Sequence, residues 1–203
     1  MTQRTVSVVL FDGFELLDVF GPVELLSVLR NEFSISFLGP TPQPVPSSQG
    51  VTVNATQTYA DAEPADILLV PGGMGTRALV DNKGFLDWLH DHAAACQIVT
   101  SVCTGSALLA AAGLLDGYRA TSNKWAFTWA AQHGEDVTWV PQARWVEDRD
   151  RWTSSGVAAG MDMTAALIRS LLGADTAQRA SDFIELDVQT DPTHDRFAAL
   201  YGL

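Results

Sequence analysis

Apolar residues along this chain gather in short runs, separated by longer segments in which they recur at helical spacing. Residues 6–10 (VSVVL) read as a first buried strand. Residues 16–29 follow as a helix, with Gly21-Pro22 predicted to kink it or split off its first turn. Residues 33–38 (FSISFL) form a second strand. The segment 39–56 is rich in Pro, Ser and Gly and alternates over 51–56, which reads as a β-excursion, a hairpin leaving the main sheet. Residues 67–70 (ILLV) are a third strand, ending in Pro71-Gly72-Gly73-Met74-Gly75. A helix over 83–95, a strand over 97–101 and a helix over 104–112 closed by Gly113 come next. Beyond these, 124–133 reads as helix and 138–140 as extended, with strands at 143–147 and 151–154 around an acidic–basic turn. Strong helical spacing runs over 158–172, and a last helix runs from Asp175, its expected N-cap, to about Leu186. Strands alternating with helices define an α/β domain with a largely parallel sheet. No repeat, low-complexity tract or linker interrupts it, so residues 1–203 are expected to form one domain.

The candidate chemistry sits where the fourth strand meets its helix, at Thr100-Ser101-Val102-Cys103-Thr104-Gly105-Ser106. Cys103 falls on the strand-to-helix turn, which holds a side chain above the strand's carboxyl end beside the free N–H groups of the next helix. The positive end of the helix dipole there is expected to favour thiolate. A buried, inert cysteine is the structural alternative. In open α/β sheets ligands bind beyond the carboxyl ends of the strands, and Pro71-Gly72-Gly73 leaves another strand at that edge. Its glycines let backbone approach a ligand, so Gly72, Gly73 and Met74 are candidate substrate-binding positions. An N–H of Gly73 or Met74, with that of Thr104, is a candidate donor to developing negative charge. The stretch lacks the glycine spacing of a dinucleotide fingerprint.

Asp18 is a lone carboxylate in the apolar run Leu16-Leu17-Asp18-Val19-Phe20. Burial beside a sulfur would raise its pKa and make it a proton donor and acceptor; a helix-capping or dipole-compensating role is the other reading. Glu15 and Glu24 read as solvated helix positions.

Composition narrows the partners. With 47% hydrophobic and 18% charged residues, the chain is globular rather than disordered. Twelve basic against 24 acidic residues give a net charge of -12, which repels nucleic-acid backbones. The two cysteines, Cys96 and Cys103, flank a strand and lie beyond disulfide reach, which fits a reducing compartment. The apolar stretch before Asp12 is too short for a secretory signal and no run reaches membrane-spanning length, so a cytoplasmic protein is expected. His90 and His92 share a helix at a spacing that separates them, which opposes metal binding. His133-Gly134-Glu135 reads as a helix cap, and His194 as exposed.

These features together resemble the ThiJ/PfpI superfamily, whose domain is class I glutamine amidotransferase-like. The match runs in order from Leu10-Phe11-Asp12-Gly13-Phe14-Glu15-Leu16-Leu17-Asp18 and Gly21-Pro22 through Val70-Pro71-Gly72-Gly73 and Ser101-Val102-Cys103-Thr104-Gly105. It continues through Ala111-Ala112-Gly113-Leu114-Leu115-Asp116-Gly117, Arg119-Ala120-Thr121 and Ala159-Gly160-Met161-Asp162. Leu-Asp-Val with Gly-Pro, and Cys-Thr-Gly at the turn, is similar to the isonitrile hydratase branch. The resemblance implies a flavodoxin-like, doubly wound sheet with helices on both faces. It implies Cys103 as nucleophile, Asp18 as acid/base and Thr104 as supporting donor, with no metal or organic cofactor, and a homodimer acting on a small molecule. Ser122-Asn123-Lys124-Trp125 departs from the Thr-His-Trp that such proteins often carry, so the pocket is expected to differ there. Asn123 and Lys124 read either as facing the pocket or, in preference, as the start of a solvated helix, and Trp125 as core or pocket wall. A ligand or redox sensor, and a glyoxalase- or deglycase-like enzyme acting on aldehydes, remain open beside the hydratase. A transcription factor is disfavoured, because the charge opposes DNA and no DNA-binding domain is expected beyond Leu203.

Overall fold

The computed structural model describes residues 3–203. In chain order its elements are β1 (Arg4–Val9), α1 (Leu16–Val28), β2 (Phe33–Gly39), β3 (Val45–Pro46), β4 (Thr52–Val53), β5 (Gln57–Thr58) and β6 (Ile67–Val70). Then come α2 (Thr76–Leu79), α3 (Lys83–Ala93), β7 (Ile98–Ser101), α4 (Gly105–Ala111), β8 (Arg119–Ala120), α5 (Phe127–Ala130) and β9 (Thr138–Trp139). The chain closes with β10 (Trp145–Asp148), β11 (Arg151–Ser154), α6 (Ala159–Leu172), α7 (Ala174–Phe183) and α8 (Phe197–Leu200). The main sheet has the order β10-β11-β7-β6-β1-β2-β5, parallel throughout except for the antiparallel β10–β11 pair.

The apolar runs became the central strands because both faces of a parallel sheet are covered. Val8, Leu68 and Val99 are fully buried in β1, β6 and β7. From β1 the chain crosses to β2 on one side, and from β6 to β7 on the other. Right-handed crossovers in opposite directions put their helices on opposite faces. Accordingly α1 packs with α6 and α7, while α2 and α3 pack with α4. The direction changes between β1 and β6, so the crevice above their carboxyl ends is the switch point where such sheets bind ligands.

Three expectations are corrected. Pro22 does not split off a first turn: helix α1 is continuous through it, giving up the one backbone bond that Pro22 would have made to the carbonyl of Asp18. Helix α7 starts after Gly173, and Asp175 sits in its first turn without capping. Of the helix read over 124–133 only the single turn α5 forms, because Lys124 turns inward instead of starting a solvated face. The β-excursion is the β3–β4 hairpin, as read, and the chain then returns as β5 to the sheet edge.

Candidate active site

The turn from β7 into α4 holds Cys103 at a left-handed φ of 58°, uncommon for a residue with a Cβ. Three hydrogen bonds pin it there. The Cys103 N–H donates to the Ser155 carbonyl at 3.0 Å, and the hydroxyls of Ser106 and Ser122 donate to the Cys103 carbonyl at 3.1 and 3.0 Å. Only glycine fits two residues on: a Cβ at Gly105 would stand 2.2 Å from the Val70 carbonyl oxygen. The local sequence thus forces the sulfur over the end of the sheet, where Cys103 is almost wholly buried.

From the neighbouring strand, the loop after β6 meets the first turn of α1. Asp18 is fully buried there, and its Oδ2 accepts the Gly72 N–H at 2.8 Å while Oδ1 has no hydrogen-bond partner. Burial pushes its carboxyl up to about 7; the Gly72 N–H opposes that rise, the Glu15 charge adds to it, and the Cys103 thiol tempers it. The Cys103 thiol is pushed up as well, by burial first and the Asp18 charge second. The N–H groups of Thr104 and Val157 and the Thr104 hydroxyl lie against the sulfur and pull the other way. The helix-end donors expected to favour thiolate do reach the sulfur, and lost solvation acts against them beside an acid poised near neutrality.

The glycine loop works differently from the sequence reading. The Gly73 N–H donates to Thr104 Oγ1 at 3.1 Å, and the Met74 N–H to Ser48 Oγ at 3.3 Å. Those donors are occupied, and the Thr104 N–H faces the sulfur, so the loop holds Asp18 and Thr104 in place rather than presenting free N–H groups to a substrate. Thr76 extends the network, its hydroxyl lying 2.7 Å from the Gly73 carbonyl and 3.2 Å from Thr104 Oγ1.

Around Cys103 and Thr104 opens a cavity of about 190 Å³. A closed apolar cavity of ~150 Å³ accommodates benzene, so there is room for a ring-sized ligand. Gly73 and Met74 line it, whereas Gly72 is turned to Asp18. Asn123 and Trp125 line it too, so the divergent segment does reach the pocket. Asn123 also accepts the Ala126 N–H at 3.0 Å, while Lys124 points away, 3% exposed, its Nζ bonded to Thr121 Oγ1 and to the carbonyls of Ser122 and Ala143. Asn123 follows the pocket-facing reading, and the preferred solvated-helix reading is corrected for both residues. Glu15, Arg77 and Val157, which the sequence reading did not assign to the site, also form part of the wall. A positive φ of 42° at Val157, strained for a β-branched residue, accompanies the approach of its N–H to the sulfur. Nothing local signals these three; the fold brings them in from separate strand ends. His90 and His92 part as expected, His90 Nδ1 meeting the Ala112 carbonyl and His92 stacking on Trp88.

The switch-point crevice and the buried acid–thiol pair define a doubly wound α/β protein with a cysteine on the strand–helix turn. Residues 4–170 match the DJ-1/PfpI family, and the chain belongs to it. It is 37% identical over 174 residues to an isonitrile hydratase of Pseudomonas putida, covering 83% of this chain and 72% of that protein. It is 29% identical to the HTH-type transcriptional regulator GbdR of Pseudomonas aeruginosa over 95% of this chain, which spans 54% of the regulator's length. Among solved structures, a ThiJ/PfpI family protein from Pseudomonas syringae superposes with a TM-score of 0.84 at 32% identity, covering 93% of this chain and 77% of that one. DJ-1beta of Drosophila melanogaster, at 18% identity and a TM-score of 0.79, shares the fold.

Proposed function

We propose that the protein hydrates isonitriles, R–N≡C, to N-substituted formamides, with Cys103 as nucleophile and Asp18 as acid and base. The observation that carries this reading is the burial of Asp18 against the Cys103 thiol with a carboxyl pKa near 7. Such a group takes and returns protons at neutral pH with little driving force lost in either direction. As the sulfur bonds to the terminal carbon, Asp18 accepts the thiol proton and delivers it to that carbon, giving the thioimidate R–N=CH–S on Cys103. Water then adds to the same carbon with its proton passing to Asp18; the C–S bond breaks, sulfur regains a proton, and the released R–N=CH–OH tautomerises to R–NH–CHO. Covalent catalysis replaces one difficult hydration with two easier steps. Thr104 holds its hydroxyl and N–H against the sulfur and stabilises negative charge there during attack and departure.

The test is formamide production from a simple aromatic isonitrile, followed by chromatography in wild type and Cys103→Ala. Turnover confined to the wild type supports the reading; no turnover by a fully reduced wild type overturns it. The similarity to regulators favours, as second reading, a ligand sensor built on the same cavity. That reading is distinguished by saturable binding without product.

We extend the proposal to assembly and location. Leu17 and Phe20 on α1 are 40% and 37% exposed, an apolar face suited to a homodimer, and a light-scattering mass near the 21.8 kDa of one chain would refute it. Among the described residues no helix is long and apolar enough to cross a membrane, and both cysteines are free, which supports a reducing, cytoplasmic setting.

A further inference from the structure

Among the described residues, Arg77 is a cation of the cavity wall with no salt-bridge partner. It sits in α2, one turn past the glycine loop, and shares the cavity wall with Cys103. Its guanidinium carbon lies over Trp129, 3.4 Å from the ring centroid, and one nitrogen donates to Thr76 Oγ1 at 3.1 Å. These contacts hold the group in place. An arginine carries five donor N–H groups in a fork that matches a carboxylate. Here one side chain acceptor and one aromatic face are its partners, and among the described residues no carboxylate lies within salt-bridge distance of it. The cavity does contain a carboxylate, Glu15, but that group already accepts the Gln49 side-chain amide at 2.6 Å. The remaining wall includes the uncharged Met74, Asn123, Trp125 and Val157.

The cation is also out of keeping with its surroundings. In a chain of 12 basic and 24 acidic residues, the net charge of -12 repels anions. Burial disfavours the charge of Arg77, and the sulfur of Cys103 is the group close enough to favour it. A partly desolvated guanidinium, immobilised by stacking and left without a counter-ion, is a receptor for one.

We propose that the substrate carries an anionic group, a carboxylate or one of like shape and charge, and that Arg77 receives it while the reacting atom meets Cys103. This rests on the same cavity being the reaction site, and it specifies the R group of the substrate as acidic. Arg77 then acts as a specificity residue: it selects and orients, while Cys103 and Asp18 carry the bond changes.

Two alkylating reagents of nearly equal size test this without relying on any isonitrile. Iodoacetate is anionic and iodoacetamide neutral; both modify a thiol by the same displacement of iodide. The rate of each at Cys103 is read by mass spectrometry in a Cys96→Ser background, which removes the other thiol. Any change in the thiolate fraction of Cys103 alters both rates alike and cancels in their ratio. The iodoacetate-to-iodoacetamide ratio is expected to fall on the order of three- to tenfold in Arg77→Gln, the effect of one unit charge at cavity distances, and to recover in Arg77→Lys. A ratio unchanged in Arg77→Gln overturns the proposal. In parallel, isocyanoacetate and its ethyl ester are offered as substrates, with kcat/KM for the acid expected to exceed that for the ester in wild type and to lose that advantage in Arg77→Gln. If neither isonitrile turns over while the alkylation ratio still depends on Arg77, the hydratase reading fails and the anion receptor stands.

Discussion

The Gly72 N–H donates to Oδ2 of Asp18 at 2.8 Å, and a Cβ on Gly72 would stand 2.9 Å from that same oxygen. One residue thus supplies the donor that orients the acid and, by lacking a side chain, the space the acid occupies. The other oxygen of Asp18 is left without a partner, free to exchange a proton with whatever stands at Cys103.

Asp18→Asn keeps the acceptor for the Gly72 N–H but cannot take a proton. Turnover is expected to drop by at least the ~10²–10⁴-fold that positioned acid–base groups contribute, while iodoacetamide still modifies Cys103. Turnover within a few fold of wild type would remove Asp18 from the mechanism.

Burial of Asp18 also sets a pH dependence of stability. Its folded pKa, about 7, lies above the ordinary 3.8, so between those values the folded state holds a proton that the unfolded chain releases. Its contribution is fully present below about pH 4 and is lost as pH rises through about 7, a change on the order of a few kcal/mol. Asp18→Asn has no such titration. Urea denaturation at pH 8 is therefore expected to show the variant more stable than wild type, with the gap closing toward pH 4; parallel pH profiles would contradict this.

Gly72→Ala brings a methyl group to 2.6 Å from the Thr104 nitrogen and 2.7 Å from Thr104 Oγ1, as well as against Asp18. Overpacking of this kind costs about 1–3 kcal/mol. The expected result is a folded protein by circular dichroism, somewhat less stable, with kcat/KM reduced by at least about tenfold because Asp18 and Thr104 are displaced together. Unaltered kinetics would show that the loop does not set their positions.

Lys124 is buried with its ammonium on three oxygens, and burial lowers its pKa to about 8. Lys124→Met keeps the chain length but leaves Thr121 Oγ1 and the carbonyls of Ser122 and Ala143 short of a donor. A loss of about 1–3 kcal/mol is expected by urea titration at pH 7. Because the folded pKa lies below the ordinary 10.5, wild type gains stability as pH rises from about 8 toward 10.5 while the variant does not titrate, so the loss should grow; a variant as stable as wild type at pH 7 would show these bonds to be dispensable.

The elements legible in the chain were those whose pattern is set by one neighbour. The buried strands Ile67–Val70 and Ile98–Ser101 and the helix Ala159–Leu172 fell within a residue or so of their reading, because apolar runs and helical spacing state which faces are covered. The short pieces went unread: α2 and α8 are four residues each, and β8 is two, too short for any period to show. Pro22 does not split α1 because the packing of α1 against α6 offsets one missing bond.

The site divides in the same way. Sequence alone determined the turn that carries Cys103, the glycine loop beside it and the presence of one acid in an apolar helix, since each is a local demand of backbone geometry or solvation. Only the tertiary structure decided that Gly72 serves Asp18, that the Gly73 and Met74 donors are taken, that burial pushes the thiol up, and that Arg77 and Val157 face the same space. Those facts depend on which strand ends lie side by side and on how much water their meeting excludes. Distances and desolvation between residues far apart in the chain exist only once the sheet has closed.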